Sequence, residues 1–196
     1  MNYKADFDKC LNKMSDVIEP LRDEEFVTAC EETLNGEGVT LELSKDNDLS
    51  VISDKSGLYC FWIKLTEWHQ NSFDEWEDLV KQFADEWERP VGEIQYSPKS
   101  NKGNRIKRLK DYEDDEWIPL YIGKSENVQK RVRQHIELAP EKKTYALKLK
   151  ARSKQLEGAE IEVTSLELDT CKENYFVVGL IEQLVRARMC SIIGKQ

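Results

Sequence analysis

Arg131 and His135 stand four residues apart in "NVQKRVRQHIE", a spacing that puts both on one face of a helix. Val128, Val132 and Ile136 form the adjacent apolar stripe, so the pair sits at the margin of the buried face. An arginine there can grip a phosphate through its planar fork. A histidine there can exchange a proton near neutral pH, and this chain has only two. Glu182, in "YFVVGLIEQLVRAR", lies at the edge of a wide apolar arc, with Val178, Val185 and Met189 at helical intervals around it. A carboxylate in that company needs a partner. Arg186 can supply it as a simple i,i+4 pair, or a hydrated divalent cation that takes one carboxylate plus phosphate oxygens. Tyr59 and Tyr121 fall in two strand-like runs, "GLYCFWIKL" and "WIPLYIG", and come near each other if those strands pair. Each residue alone has a plainer alternative: a surface arginine, a semi-buried histidine, a helix ion pair, two packing tyrosines.

These side chains need elements to hold them. Residues 2–34 carry apolar positions at helical intervals, broken near Pro20 and closed by Asn35-Gly36, which predicts two helices. Residues 38–44 alternate and suit a strand. The aromatic and β-branched run 57–65 predicts a buried strand. In "SFDEWEDLVKQFADEWERP", Ser72 and Glu75 have capping-box spacing and Pro90 supplies the stop. Phe73, Trp76, Val80, Phe83 and Trp87 make one stripe there, expected in the core and not as a base-stacking platform. Then come loop-like residues 97–110, read as an ordered or semi-ordered insertion and not a packed element, and a strand over "WIPLYIG". A helix from about Asn127 to Leu138 follows, then a basic helix near 141–155. A strand over 159–168 and a terminal helix from about Glu173 to Met189 complete the chain. This order predicts a mixed α/β (α+β) unit around a small sheet.

The totals narrow the function classes. Net charge is −9, which taken whole disfavours a polyanion partner. The distribution reverses that: residues 1–98 hold 9 Lys+Arg and 23 Asp+Glu, residues 99–196 hold 20 and 15. DNA is the expected partner of the second half; composition does not separate it from RNA. Lys99, Lys102, Arg105, Lys107, Arg108 and Lys110 form an acid-free run, and residues 124–154, Arg133 among them, add ten Lys+Arg against three acids. Such residues give affinity and register without reading sequence. Five widely spaced cysteines, at 10, 30, 60, 171 and 190, argue against a disulfide framework and against zinc. No apolar run approaches the ~20 residues of a membrane span, and "MNYKADFDKC" is no secretory signal. The expectation is an intracellular, cytoplasmic protein with no membrane partner.

Taken together, "GLY" at 57–59, "YIG" at 121–123, Arg131 ten residues after Tyr121, His135 four later and a helix glutamate after a third strand resemble the GIY-YIG nuclease family. The resemblance covers about residues 56–196. It implies a three-stranded antiparallel sheet flanked by helices, and a metal-dependent endonuclease using one Mg²⁺ or Mn²⁺. By the same resemblance, Tyr59 and Tyr121 are the motif tyrosines, one of which orients or deprotonates the attacking water. Lys124 lowers a neighbouring phenol's pKa, Arg131 holds the scissile phosphate, His135 assists water activation, and Glu182 binds the metal. Residues 1–55 become an accessory helical region, and residues 66–116 an insert whose basic loop reads DNA. Restriction-like members with such additions often form homodimers. One departure is plain: the family usually places an Asn after the Glu helix, and none follows Glu182. That keeps a second reading open, a nucleic-acid-binding module that retains the fold without cutting.

Overall fold

A computed structural model describes residues 3–65, 68, 76–94, 96–101, 107–113 and 116–194. Ser72, Phe73, Glu75, Lys102 and Arg105, which figured above in the capping box, the stripe and the basic run, lie outside the described residues.

Helices α1 (Tyr3–Ile18) and α2 (Glu24–Leu34) are separated by a 3₁₀ turn, Glu19–Arg22, with Pro20 at its start. The break falls where proline cannot continue an α-helix. Asp23 caps α2, accepting from the Glu25 N–H at 2.8 Å. Strands are β1 (Val39–Thr40), β2 (Gly57–Lys64), β3 (Ile118–Ser125) and β4 (Glu160–Glu167). They form one antiparallel sheet in the order β1-β4-β2-β3. The sheet therefore has four strands where three were expected. The strand read over 38–44 shrinks to two residues, and it pairs only with the edge of β4. Helix α3 (Trp76–Glu88) lies between β2 and β3 in sequence, α4 (Val128–Glu137) follows β3, and α5 (Tyr175–Met189) follows β4.

β2 is central and buried on both faces, which is why its sequence runs continuously apolar instead of alternating. Tyr59, Phe61 and Ile63 face a core shared with Val80, Phe83 and Trp87 of α3 and Val128, Val132 and Ile136 of α4. Leu58, Cys60 and Trp62 face a second core with Val27, Cys30 and Leu34 of α2 and Val178, Ile181 and Val185 of α5. The described part of the aromatic stripe of α3 is thus core, as its spacing predicts.

Two expectations need correction. The basic helix near 141–155 does not form; only a 3₁₀ turn, Lys150–Arg152, is present. The basic side chains there bind backbone carbonyls, three of this stretch that a helix would have paired with its own amides and one, Trp87 O, near the end of α3. Lys148 Nζ donates to Pro140 O and Lys142 O at 2.7 and 2.9 Å, and Arg152 reaches Leu147 O and Trp87 O at 3.2 and 3.1 Å. The region around the basic run is also packed more firmly than an unpacked insertion would be. Leu109 is fully buried, and the 3₁₀ turn Arg108–Tyr112 docks on α5 through a hydrogen bond from Arg108 to Ala187 O.

Among the described residues no helix is long and apolar enough to cross a membrane. Cys30, Cys60 and Cys190 are buried free thiols, and Cys171 is a free thiol on the surface.

Candidate functional site

The β2–β3 register sets the site. Tyr59 pairs with Gly123 and Phe61 with Tyr121, and then the register slips by one between Phe61 and Trp62. The slip leaves Leu120 as the extra residue of a β-bulge. Leu120 and Tyr121, although adjacent, both pack toward the α4 side, while Ile122 faces the α5 side. Bulges re-aim side chains in this way. The regular pairing of Tyr121 with Phe61 puts it on the same face as Tyr59, with ring centroids 6.2 Å apart, and the bulge adds Leu120 to that face. Gly123 is a steric requirement of the same arrangement: a Cβ there would lie 2.5 Å from the Tyr59 hydroxyl oxygen.

α4 brings up the histidine. Asn127 caps it, accepting from the Lys130 N–H at 2.8 Å. His135 is fully buried, and its ring lies 5.1 Å from that of Tyr121 and 5.4 Å from that of Tyr59. The Leu147 backbone N–H donates to His135 Nδ1 at 3.0 Å, so Nδ1 bears no proton. In the neutral ring Nε2 then carries the proton and donates it to the Tyr59 oxygen at 2.9 Å. Burial, reinforced by the Arg131 charge, holds the imidazole well below its usual pKa, so it is neutral at physiological pH.

Both phenols are weak acids. Burial and then the neighbouring Tyr121 push Tyr59 well above the usual tyrosine range, against the opposing pull of Arg131. Burial also raises Tyr121, partly offset by the charges of Arg131 and Arg186 and by a hydrogen bond from Tyr59. Lys124, expected to acidify a phenol, instead extends across α5 at Gly179, where a Cβ would come within 2.4 Å of its Nζ. Its ammonium lies 3.4 Å from Glu182 Oε2. Arg186 lies 3.3 Å from Glu182 Oε1. Glu182 is also the carboxylate whose charge raises both Tyr59 and Tyr121.

Tyr59, Tyr121, Lys124, Arg131, His135 and Glu182, drawn from two strands and two helices, therefore gather around one locus. Arg131 donates to Gln134 Oε1 at 2.9 Å and to the Tyr145 carbonyl. Of the proposed DNA contacts, Lys107, Arg108 and Lys110 are exposed beside α5. Arg133, about 200° around the helix from Arg131, points elsewhere and pairs with Glu137 at 3.5 Å.

A cleft of about 750 Å³ opens beside Tyr121 and Arg186. Its other walls were not legible in the sequence. β3 is an edge strand, and the segment after α5 pairs along it: the Ile192 and Ile193 amides donate to Pro119 O and Leu120 O at 2.9 and 2.8 Å. Residues 99–101 pair in turn with that segment, through Asn101 N–H to Ile192 O and Gly194 N–H to Lys99 O. Asn101 is buried and its amide also donates to Ser191 O at 2.6 Å. An asparagine thus borders the cleft from the insert, not from a position after the Glu helix. Arg186 was visible only as the i,i+4 partner of Glu182.

Among the described residues no group of three or more His, Cys, Asp or Glu side chains could hold a metal ion. Comparison with protein-family models finds no match, and comparisons with curated proteins and with solved structures find none either.

Proposed function

We propose that this protein is a phosphodiesterase that cuts DNA, of the GIY-YIG type. In this reading β2, β3 and β4 are the family's three core strands and β1 is an addition. One observation carries it: six residues picked by type and spacing gather around one locus beside a cleft that Tyr121 and Arg186 line, with three cations and one carboxylate among the residues there. Lys124, Arg131 and Arg186 outweigh Glu182, which favours an anionic ligand. The buried Nε of Arg186 has no hydrogen-bond partner among the described residues, a donor that a phosphate oxygen would satisfy.

The proton order follows from the hydrogen bonds. Leu147 N–H binds His135 Nδ1 and His135 Nε2–H binds the Tyr59 oxygen, which leaves the Tyr59 proton free to turn toward Tyr121, its ring centroid 6.2 Å away. Every proton in this chain points toward the cleft, which leaves Tyr121's own hydroxyl proton for a phosphoryl oxygen there. With both phenols raised and the imidazole saturated, Tyr121 acts as a hydrogen-bond donor to the phosphate in the resting enzyme. His135 and Tyr59 hold it in that orientation. Arg131 and Arg186 stabilise the charge that develops on the phosphate.

The donor set fits a hard cation that keeps most of its water. Glu182 offers one carboxylate, and its two ion pairs, at 3.3 and 3.4 Å, are longer than the ~2.7–2.9 Å of tight charge-assisted hydrogen bonds. Mg²⁺ or Mn²⁺ bound there would polarise the phosphate and stabilise the leaving oxygen.

The test is nicking of supercoiled plasmid with Mg²⁺ or Mn²⁺. Wild-type protein cuts, Glu182→Ala does not, and Tyr121→Phe is slowed by about 10²–10³-fold, the usual cost of one transition-state donor. Salt-sensitive DNA binding without any cutting would instead establish the non-catalytic binding module.

A further inference from the structure

The cleft is lined by two unlike kinds of residue. Tyr121 and Arg186 belong to the proposed phosphate site. Tyr96 and Tyr145 line it as well. Most large apolar groups in this protein are buried, yet Tyr96 is 41% and Tyr145 61% exposed. Their rings meet edge to face with centroids 5.7 Å apart. They are far apart in sequence, on the insert and on the irregular segment after α4, so the fold alone brings them together.

Neither tyrosine is placed by chance packing. Tyr96 adopts φ +53°, a left-handed conformation that costs energy for a side chain of this size and persists only where the surroundings impose it. Tyr145 is tied to the phosphate site through its carbonyl, which accepts from Arg131. No acidic residue lines the cleft among those described, whereas Lys99 and Arg186 do. The volume, about 750 Å³, falls within the range of small-ligand pockets. Flat aromatic faces next to phosphate-binding cations suit a ligand with a planar apolar part and an adjoining anion.

We infer that Tyr96 and Tyr145 form a stacking subsite for one unpaired nucleobase adjoining the phosphate held by Arg131 and Arg186. The subsite rests on the phosphodiesterase reading for its neighbour, but base stacking is readable without cutting. It selects DNA that is single-stranded, frayed or locally opened, because a base within an intact duplex offers no free face.

The experiment titrates wild-type protein, without divalent metal, into short single-stranded oligodeoxynucleotides carrying 2-aminopurine at each central position in turn. Matched oligonucleotides carry an abasic site at the same positions. Wild type quenches 2-aminopurine in at least one register. Tyr145→Ala and Tyr96→Asn, the latter chosen because Asn tolerates positive φ, lose the quenching, and Tyr145→Phe keeps it. The same two variants bind the base-bearing oligonucleotide between about 5-fold and about 150-fold more weakly, the range of one stacked base. They bind the abasic one as wild type does. Absence of quenching by wild type, or equal weakening toward both oligonucleotides, overturns the subsite. Plasmid that stays uncut while the base-dependent loss persists would retire the nuclease and leave the stacking site standing. Cutting with no base-dependent loss would do the reverse.

Discussion

Two basic stretches lie close together in this chain and do different work. The first is α4, with Lys130, Arg131 and Arg133. The second is the irregular segment from Glu141 to Leu156, with Lys142, Lys143, Lys148, Lys150, Arg152 and Lys154. Composition ranks them as equal candidates for phosphate contact. In the fold, Arg131 stays partly exposed beside two tyrosines and a histidine, with the cleft beyond. Arg152 is buried and committed: it stacks 4.0 Å from the Trp87 ring and bonds two carbonyls, Gln155 Oε1 and Ser97 Oγ. Burial pushes its guanidinium down to about 10, against the opposing pull of Glu88, and it is still charged at neutral pH. Arg131 also donates to Gln134 Oε1 and the Tyr145 carbonyl, so the difference lies in burial: Arg152 is enclosed with its partners, and Arg131 keeps a solvent-facing edge. Lys148 belongs with Arg152, because its ammonium closes two carbonyls left free by a chain that is not helical.

The sharpest way to break this comparison is to exchange the readouts. Arg131→Ala is expected to slow plasmid cutting by about 10²–10³-fold while changing unfolding stability by less than about 1 kcal/mol. Arg133→Ala, on the far side of the same helix, should leave the rate as it was. Equal losses from both would mean that α4 contributes only general charge.

Arg152→Met should do the opposite of Arg131→Ala. It strands the carbonyls of Trp87 and Leu147, and about 2–4 kcal/mol of stability should be lost. Urea unfolding measures this, with DNA binding of the folded fraction unchanged. An Arg152 variant of normal stability and weakened DNA binding would move Arg152 into the interface.

The smallest effect concerns His135. Its folded-state pKa lies well below the unfolded value of about 6.5. Above that value both states are neutral and the group adds no slope. Below it the unfolded chain takes a proton that the folded chain refuses, so stability falls as pH falls, by up to ~1.4 kcal/mol per unit. His135→Gln, whose amide can still donate to Tyr59, should flatten this slope between pH 6.5 and 5. An identical slope in the variant would show that His135 is not held neutral.

Much of the frame was legible in the sequence because it rests on local rules. Pro20 broke the N-terminal helices, Pro90 followed the end of α3, and the apolar run 57–65 became a strand buried on both faces. The arrangement of candidates was partly legible as well: four-residue spacing on α4 put Arg131 and His135 on one side, and strand pairing set Tyr59 beside Tyr121. The false helix at 141–155 shows where such rules stop. Charged residues with good helix propensity filled that stretch, but Lys148 and Arg152 found better partners in carbonyls of the surrounding chain.

The sequence by itself determined which polar and aromatic side chains were available for the proposed site and most of the elements that carry them, because residue type and short-range periodicity act within a few residues. Only the tertiary structure decided their roles. The bulge at Leu120 turned that residue to the same face as Tyr121, the Leu147 amide fixed the histidine tautomer, and Lys124 was drawn to Glu182. Tyr96, Asn101 and Tyr145, which no motif marked, became walls of the cleft together with Lys99 from the basic run. Each of these depends on contacts between segments distant in sequence, set by burial and by the need to pair every buried polar group.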